Sequence, residues 1–328
     1  MNVVSPPPAL SRTALRPDLI RRLARRWIPL GLLILAWLCL LVRLTVRDGY
    51  GWSAALFYIG PWPLLFAAWP VLAVWLRAGR FIAGVAALGL MLTFTAWKLA
   101  PPVPPLPTME ADAVSRRILF WNIGHLKALP TRLDELILRH EPDLMVLAEA
   151  EKQNEASLAD WRQRFPAYRT TALRGGLLAF VKGQVRVEES IQLPNRSNAH
   201  RLRVEFTGGS EVWHLIVADL GPWPLTPRLE RTERIRQLAG QEPRTLVVGD
   251  FNTPYDSVAF DPWRYQWFHG LSQSTRTPGA ATWPIGLPLL SIDHVWLSKD
   301  LWPRQAWKET TFGFDHAWQV IEFSPHPP

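Results

Sequence analysis

Cysteine is nearly absent from this sequence. Cys39 is the only cysteine among 328 residues, so the chain can form neither an internal disulfide bond nor a cysteine-based zinc site. An exported domain is still compatible with this composition, because a domain of about 220 residues buries enough surface to fold without disulfides.

Acidic residues are nearly absent from the first third of the chain. Residues 1–108 contain 11 of the 36 lysines and arginines but only two acids, Asp18 and Asp48, which gives a net charge of +9. The other 25 basic and 26 acidic residues give residues 109–328 a net charge of −1. The downstream part therefore lacks the bulk positive charge that is typical of nonspecific nucleic-acid binding.

Long apolar runs occupy the basic first third. Predicted membrane-spanning helices cover residues 28–46, 52–76 and 81–97. A helix needs about 20 apolar residues to cross a bilayer, so the second run is long enough and the third is somewhat short. Trp27, Trp52 and Trp97 lie at ends of these runs, where tryptophan favours the membrane–water interface.

Arginines predict the orientation of these spans. Those before the first run are Arg12, Arg16, Arg21, Arg22, Arg25 and Arg26. The loop between the second and third runs contains Arg77 and Arg80, whereas the first loop is nearly neutral. Because basic loops stay in the cytoplasm, we expect a cytoplasmic N-terminus and, after three crossings, a C-terminal domain outside a bacterial inner membrane. If the third run does not cross, the domain would be cytoplasmic.

The chain divides into four predicted regions. They are a basic cytoplasmic tail (1–27), a transmembrane region (28–98), a proline-rich linker (99–115) and a folded domain (116–328). The linker contains the stretch PPVPPLP, which favours an extended polyproline spacer. In the folded domain, apolar strands alternate with amphipathic helices and outnumber them, which indicates an α/β domain.

Polar side chains recur at the ends of the predicted apolar strands. They belong to Asn122, Glu149, Asp250, Asn252, Asp293, Asp315 and His316. In the stretch LVVGDFNTP, Asp250 and Asn252 are two residues apart, so on an extended chain both side chains point the same way. Taken alone, this stretch is equally well explained as the turn after a strand. If all these residues converge at one rim of a sheet, their oxygen atoms would suit Mg²⁺ or Mn²⁺ better than zinc.

Five segments resemble, in order, the motif set of the endonuclease/exonuclease/phosphatase superfamily. They are FWNIG (120–124), PDLMVLAEAE (142–151), VVGDFNTP (247–254), SIDHVWLS (291–298) and FDH (314–316). The resemblance covers about residues 116–324, and with spans in front the chain is similar to a membrane-anchored bacterial branch of that superfamily. It implies a four-layer α/β (α+β) sandwich of two mostly antiparallel sheets flanked by helices. It also implies an enzyme that hydrolyses phosphate esters with a divalent metal.

The same resemblance implies a metal-binding side of the site. Glu149 resembles the principal metal ligand, and Asp315 matches a second carboxylate on the metal side. Asn122 resembles the amide that positions the metal or the phosphate. The implied cofactor is Mg²⁺ or Mn²⁺.

The remaining motif residues are implied to act on water and phosphate. Asp250 and Asn252 resemble the pair that orients or deprotonates the attacking water and holds the phosphate. His316 matches the catalytic histidine, and Asp293 matches the carboxylate that orients it. A histidine held by an acid is a common way to supply a mobile proton.

The chain also departs from the family pattern. It reads Val217-Ala218-Asp219-Leu220 where many members carry a histidine in a Thr-His-Leu stretch. An ionised Asp219 cannot donate a hydrogen bond to phosphate, so it would act as an extra metal ligand or simply turn the chain. Phe314 replaces a usual serine, and Gly124 stands where some nucleases have an acid. These changes permit an altered substrate.

Three functional hypotheses follow. The leading one is a membrane-anchored, metal-dependent hydrolase of phosphodiesters or phosphomonoesters, of nuclease or phosphatase type. The first alternative is a phosphodiesterase for phospholipid headgroups, which the membrane tether favours. The second is a catalytically idle binding or scaffold protein that retains the fold, which Asp219 suggests. The sequence indicates no obligate protein partner.

Overall fold

A computed structural model of the chain describes residues 17–76, 80–99, 115–124, 131–150, 155–223, 228–274, 280–284, 286 and 288–325. Three predicted features fall wholly or partly outside these residues. They are the first part of the basic tail, the loop that contains Arg77, and nearly all of the proline-rich linker.

The N-terminal part consists of four helices. They are α1 (Pro17–Leu44), α2 (Gly51–Ile59), α3 (Trp62–Trp75) and α4 (Arg80–Leu99). Two of them contain stretches that are long and apolar enough to cross a membrane, Trp27–Leu44 in α1 and Arg80–Trp97 in α4. Helices α2 and α3 meet at an angle of 66°, and together they are long and apolar enough for a broken span or a re-entrant segment.

The break between α2 and α3 divides the second predicted span. It lies at Gly60 and Pro61, and Pro61 is the N-cap residue immediately before α3. Proline has no backbone N–H and disfavours a helical conformation in the residue before it, so the first helix ends here. The apolar run is therefore continuous in sequence but not in helical structure.

Helix α3 packs between α1 and α4. The apolar cluster that joins them includes Leu40 and Cys39 of α1 and Leu65 and Trp69 of α3. Trp69 lies directly on Gly89 of α4, where a Cβ atom would approach its ring to 2.8 Å. The four helices therefore form a packed unit.

The described residues of the downstream part form twelve strands, five α-helices and a short 3₁₀ helix (Val258–Phe260). The strands are β1 (Arg116–Asn122), β2 (Leu144–Ala148), β3 (Arg169–Leu173), β4 (Leu177–Val181), β5 (Gly183–Leu193), β6 (Ser197–Phe206), β7 (Trp213–Asp219), β8 (Thr245–Asp250), β9 (Trp267–His269), β10 (Asp293–Ser298), β11 (Leu301–Glu309) and β12 (Trp318–Pro325). The helices are α5 (Thr131–His140), α6 (Glu155–Arg164), α7 (Arg228–Ala239), α8 (Asp261–Gln266) and α9 (Gly270–Ser274).

These strands form two six-stranded sheets. The first has the order β11-β12-β1-β2-β4-β3, and the second has the order β5-β6-β7-β8-β10-β9. Among the described strands, β1 with β2 and β7 with β8 are parallel, and the other neighbours are antiparallel. Each sheet is thus mostly antiparallel around one parallel pair.

Alternating side chains cover both faces of each sheet. In β1, Ile118 and Phe120 belong to the core between the sheets. Leu119 and Trp121 point to the opposite face and pack against α5 and α6. Helices α7 and α8 cover the outer face of the second sheet in the same way. This arrangement confirms the predicted four-layer sandwich of two sheets flanked by helices.

Strands β7 and β8 approach each other closely at Gly249. Its φ is +156°, and a Cβ atom there would lie 1.8 Å from the carbonyl oxygen of Ala218 on the neighbouring strand. Glycine is therefore required at the residue before Asp250.

This contact predicts a specific loss of stability. We expect Gly249→Ala to lower the free energy of unfolding by about 3 kcal/mol, because the added methyl group would push two backbones apart. Gly313→Ala is the matched control: Gly313 also has positive φ, +92°, but a Cβ there meets nothing within 4 Å. It should cost only about 1 kcal/mol of backbone strain. Thermal unfolding of the solubilised protein measures both, and equal losses would contradict the steric explanation.

Candidate active site

Polar residues from both sheets meet at one rim because each sheet has a parallel pair of strands. In the first sheet, Asn122 ends β1 opposite the end of β2, which Glu149 follows. In the second sheet, Asp219 and Asp250 lie side by side at the ends of β7 and β8. Strand β10 runs the other way and begins with Asp293 opposite Asp250. Five sequence-predicted positions thus come together, Asp219 among them.

Asn122 joins the two sheets across this rim. Its Nδ2 donates to Oε1 of Glu149 at 3.1 Å and to Oδ2 of Asp250 at 3.0 Å. Its Oδ1 accepts a hydrogen bond from the N–H of Gly124 at 3.0 Å. Because the amide nitrogen faces both carboxylates, this geometry favours a bridging role over direct metal binding, which stays a prediction.

Asn252 lies beyond the end of the strand. Its φ of +46° is left-handed, a conformation that asparagine tolerates better than most residues. The strand alternation expected for Asp250 and Asn252 therefore stops at Asp250. The backbone N–H of Asn252 donates to Oδ1 of Asp250 at 2.7 Å, and its Nδ2 donates to the carbonyl of Leu220 at 2.7 Å. Asn252 thus orients Asp250 and connects the loop after β8 to the loop after β7.

His316 and Asp293 form a buried pair. Nδ1 of His316 lies 2.8 Å from Oδ2 of Asp293, so Nε2 is left to face Asp250 and Asp315, each at 3.9 Å. Burial lowers the pKa of His316, but Asp293 and then Asp250 and Asp315 outweigh it and raise that pKa to about 10. The neighbouring carboxylates therefore favour the protonated form of His316, and its Nε2 is directed at the rim.

Asp315 lies on the open side of His316. Its side chain is 56% exposed, in contrast to the buried Asp250 and Asp293. Its Oδ1 comes within 3.0 Å of the position that a Cβ atom on Gly124 would occupy. The glycine at this position, where some nucleases have an acid, therefore leaves room for Asp315.

Asp219 belongs to the same electrostatic cluster. Burial, followed by the carboxylates of Glu149 and Asp293, raises the pKa of Asp219 to about 7. Burial and Asp293 also raise the pKa of Asp250 well above its ordinary value. The rim therefore contains more carboxylate groups than the single positive charge of His316 can neutralise.

The donor atoms of the rim fit a hard divalent cation. Asp250, Asp293 and, when its imidazole is neutral, His316 offer ligand atoms within 4.8 Å of one another, and Glu149 and Asp219 add further carboxylate oxygens. A cation would relieve the repulsion that raises the carboxyl pKa values, and oxygen donors select Mg²⁺ or Mn²⁺ over softer metals. Oδ1 of Asp293 is buried and makes no hydrogen bond to the described residues.

Sequence reasoning missed part of the support of this site. His294 donates from Nε2 to the carbonyl of Thr253 at 2.8 Å, and its Nδ1 lies 2.8 Å from Nε2 of His269. Tyr58 of α2 donates to the carbonyl of Asn252 at 3.3 Å. No local pattern marks these residues, because each contact depends on tertiary structure.

Comparison with known proteins places this geometry in a family. The model of the Endonuclease/Exonuclease/phosphatase family matches residues 119–326, more than half of the chain. The chain belongs to this family. Enzymes of the family are hydrolases of phosphoester bonds and depend on divalent metals. A comparison with curated proteins finds no significant match.

Solved structures show the same fold at low identity. Truncated TDP2 of Caenorhabditis elegans is 18% identical, with a TM-score of 0.50 over 64% of this chain and 97% of that one. TDP2 of D. rerio, complexed with single strand DNA product, is 15% identical, with a TM-score of 0.49 over 64% and 99%. An endonuclease/exonuclease/phosphatase from Beutenbergia cavernae is 16% identical, with a TM-score of 0.48 over 65% and 72%.

The pairing of His316 with Asp293 predicts non-additive kinetics. We expect His316→Ala and Asp293→Asn each to lower kcat by about 10²- to 10⁴-fold, because each removes the same proton-transfer contribution. The double variant should lose far less than the product of the two losses, since residues that act as one unit are non-additive. The measurement is phosphodiester turnover by the full-length protein, normalised to folded protein.

The control for these variants is His214→Gln. His214 lies in the second sheet, as Asp293 does, but it is near the start of β7, next to Arg201 and away from the rim. Turnover should therefore persist in this variant. Near-native turnover of His316→Ala would contradict the catalytic assignment. Fully multiplicative losses would show that the two residues act independently.

Proposed function

We propose that this protein is a membrane-anchored, divalent-metal-dependent hydrolase of phosphodiesters or phosphomonoesters. The observation that carries the proposal is the rim at which Asn122, Glu149 and Asp250 meet the His316–Asp293 pair. These residues come from both sheets, so the site forms only when the sandwich is complete.

The geometry supports a division of roles for hydrolysis. We assign Asp250 as the group that accepts a proton from the attacking water, because Asn122 and the N–H of Asn252 hold its two oxygens in place. We assign the Nε2–H of His316 as the donor to the phosphate, where it stabilises developing negative charge. Asp293 keeps the imidazole charged and oriented. We keep a phosphate-contacting role for Asn252 as part of the proposal.

Glu149 and Asp315 are the proposed metal ligands, with Asn122 holding the Glu149 carboxylate. Asp219 is the additional candidate, because its carboxyl group lies in the same negative cluster. When bound, Mg²⁺ or Mn²⁺ would neutralise charge on the phosphoryl oxygens and favour deprotonation of water.

The contact between α1 and the domain supports the proposed side of the membrane. Arg43, at the C-terminal end of α1, forms an ion pair with Asp256 of the catalytic domain. The arginines Arg21 to Arg26 lie in the opposite half of this helix, which is about 40 Å long. If α1 alone crosses the membrane, the domain already lies on the side opposite to these arginines. A failed crossing by α4 would therefore not move the domain into the cytoplasm.

We accordingly propose the predicted division into tail (1–27), membrane region (28–98), linker (99–115) and catalytic domain (116–328), with the domain in the periplasm. A phospholipid-headgroup phosphodiesterase is the second candidate. Its support is that the segment after Asn252 contacts the helical region directly, through Tyr58 and Arg43. Such a site would lie close to lipid headgroups.

Reporter fusions test this topology. A reporter that is active only outside the cytoplasm should be active when fused after Pro328, because α1 places the domain across the membrane from the arginine-rich end. The control is a truncation fused after Leu76, where a strictly cytoplasmic reporter should be active. Cytoplasmic activity of the Pro328 fusion would contradict the proposed orientation.

Removal of one carboxylate charge tests the metal site and the enzymatic function together. Wild-type protein should hydrolyse bis(p-nitrophenyl) phosphate with Mg²⁺ and lose this activity with a chelator. Glu149→Gln should lower turnover by about 10²-fold or more, since it keeps the shape of the side chain but removes charge from an oxygen-ligand site. Mg²⁺ titrations of kcat provide the measurement.

The matched control is Glu189→Gln on the exposed edge strand β5, which should behave as wild type. An unchanged Mg²⁺ requirement and turnover in Glu149→Gln would remove Glu149 from the site. A wild-type protein without metal-dependent hydrolysis would support the idle scaffold instead.

A further inference from the structure

The segment that follows Asp250 is held from the inside by its own domain. The carbonyl of Thr253 accepts a hydrogen bond from His294 at 2.8 Å, and the N–H of Tyr255 donates to the carbonyl of Ser291 at 3.1 Å. We call residues 251–258 the catalytic loop. Its inner side is therefore fixed by β10 and the residues before it.

The outer side of the catalytic loop is held by the helical region. Asp48 accepts hydrogen bonds from Oγ of Ser257 at 2.6 Å and from the N–H of Val258 at 3.0 Å. Arg43 pairs with Asp256, which also accepts a hydrogen bond from Nε1 of Trp62 at 2.9 Å.

These contacts bury charged groups at the contact between helices and domain. Asp48 is 8% exposed and Arg43 is 6% exposed. Arg43 also donates to the carbonyls of Phe57 and Gly60, at 3.0 and 2.6 Å. A buried charge is costly unless it is paired or hydrogen-bonded. Arg43 is both ion-paired and hydrogen-bonded, and Asp48 accepts two hydrogen bonds. The contact is therefore specific and not a chance approach of two tethered parts.

Tyr58 extends this contact to the site itself. Its hydroxyl group donates to the carbonyl of Asn252 at 3.3 Å, and the guanidinium carbon of Arg228 lies 5.7 Å from the centroid of its ring. Arg228 in turn donates to the carbonyls of Gly221 and Pro222, at 2.8 and 3.1 Å. Tyr58 thus connects the two strand-end loops, one that follows Asp250 and one that follows Asp219.

We propose that Tyr58 is a positioning residue of the catalytic site and that the helical region forms part of the frame of that site. The inference rests on the proposed hydrolytic function. The backbone of Asn252 is hydrogen-bonded on both sides of its Cα atom: its N–H donates to Asp250, and its C=O accepts from Tyr58. A shift of this residue therefore moves the carboxylate that acts on water, and catalysis is sensitive to displacements of about 1 Å.

Removal of the Tyr58 hydroxyl group tests the proposal in the full-length protein. We expect Tyr58→Phe to lower kcat about tenfold, the effect of one lost hydrogen bond, with KM within about twofold and an unchanged melting temperature. Tyr50→Phe is the matched control, because Tyr50 begins the same helix but is 59% exposed, and it should keep wild-type kinetics. A purely structural tyrosine would instead lower the melting temperature and leave kcat unchanged.

Hydrogen exchange gives a readout that does not depend on hydrolysis. Backbone amides of residues 251–258 should exchange faster in Tyr58→Phe, and Asp48→Asn should expose the amide of Val258 in particular. Faster exchange in a protein without any hydrolysis would support the frame and reject the proposed function. Unchanged exchange together with unchanged kcat in Tyr58→Phe would overturn the inference while leaving the hydrolase intact.

Discussion

Repulsion among carboxylates is the constraint on which this site depends. The strand registers force Asp219, Asp250 and Asp293 into neighbouring positions, and Glu149 faces them from the other sheet. Negative charges on neighbouring carboxylates destabilise each other in a buried environment. Asn122 offsets part of the repulsion by donating to a carboxylate of each sheet at once. The close meeting of the two sheets at this rim therefore relies on hydrogen-bond donors and cations.

The cations explain why the arrangement suits phosphate chemistry. His316 supplies one positive charge, which Asp293 fixes in place, and a divalent metal would supply the rest. A phosphate ester brings its own negative charge and needs a positively charged environment to react. Asp219 makes this balance more negative than a histidine would at the same position.

Features of the site that depend on local sequence pattern could be predicted from the sequence. Features that depend on contacts between distant parts of the chain could not. The strand ends and their polar residues were predictable, because apolar runs that stop at Asn122 or Asp250 define them. The conformation of Asn252 was not predictable, since the partner of its side chain is Leu220, which lies in the loop after β7 and is distant in sequence. Only Pro61 gave a sign in the sequence of the helix break at Gly60. The uniformly apolar run around it indicated one continuous helix.

Two arginines at the domain end of α1 bear on the membrane orientation that the positive-inside rule predicts. Arg43 and Arg47 lie at the domain end of α1, on the side where the positive-inside rule disfavours basic residues. Each is paired with a carboxylate of the catalytic domain, Asp256 and Asp261 respectively. The arginines near the other end of α1 have no such acids among their sequence neighbours apart from Asp18. The two basic residues on the proposed external side of α1 therefore serve as contacts to the folded domain.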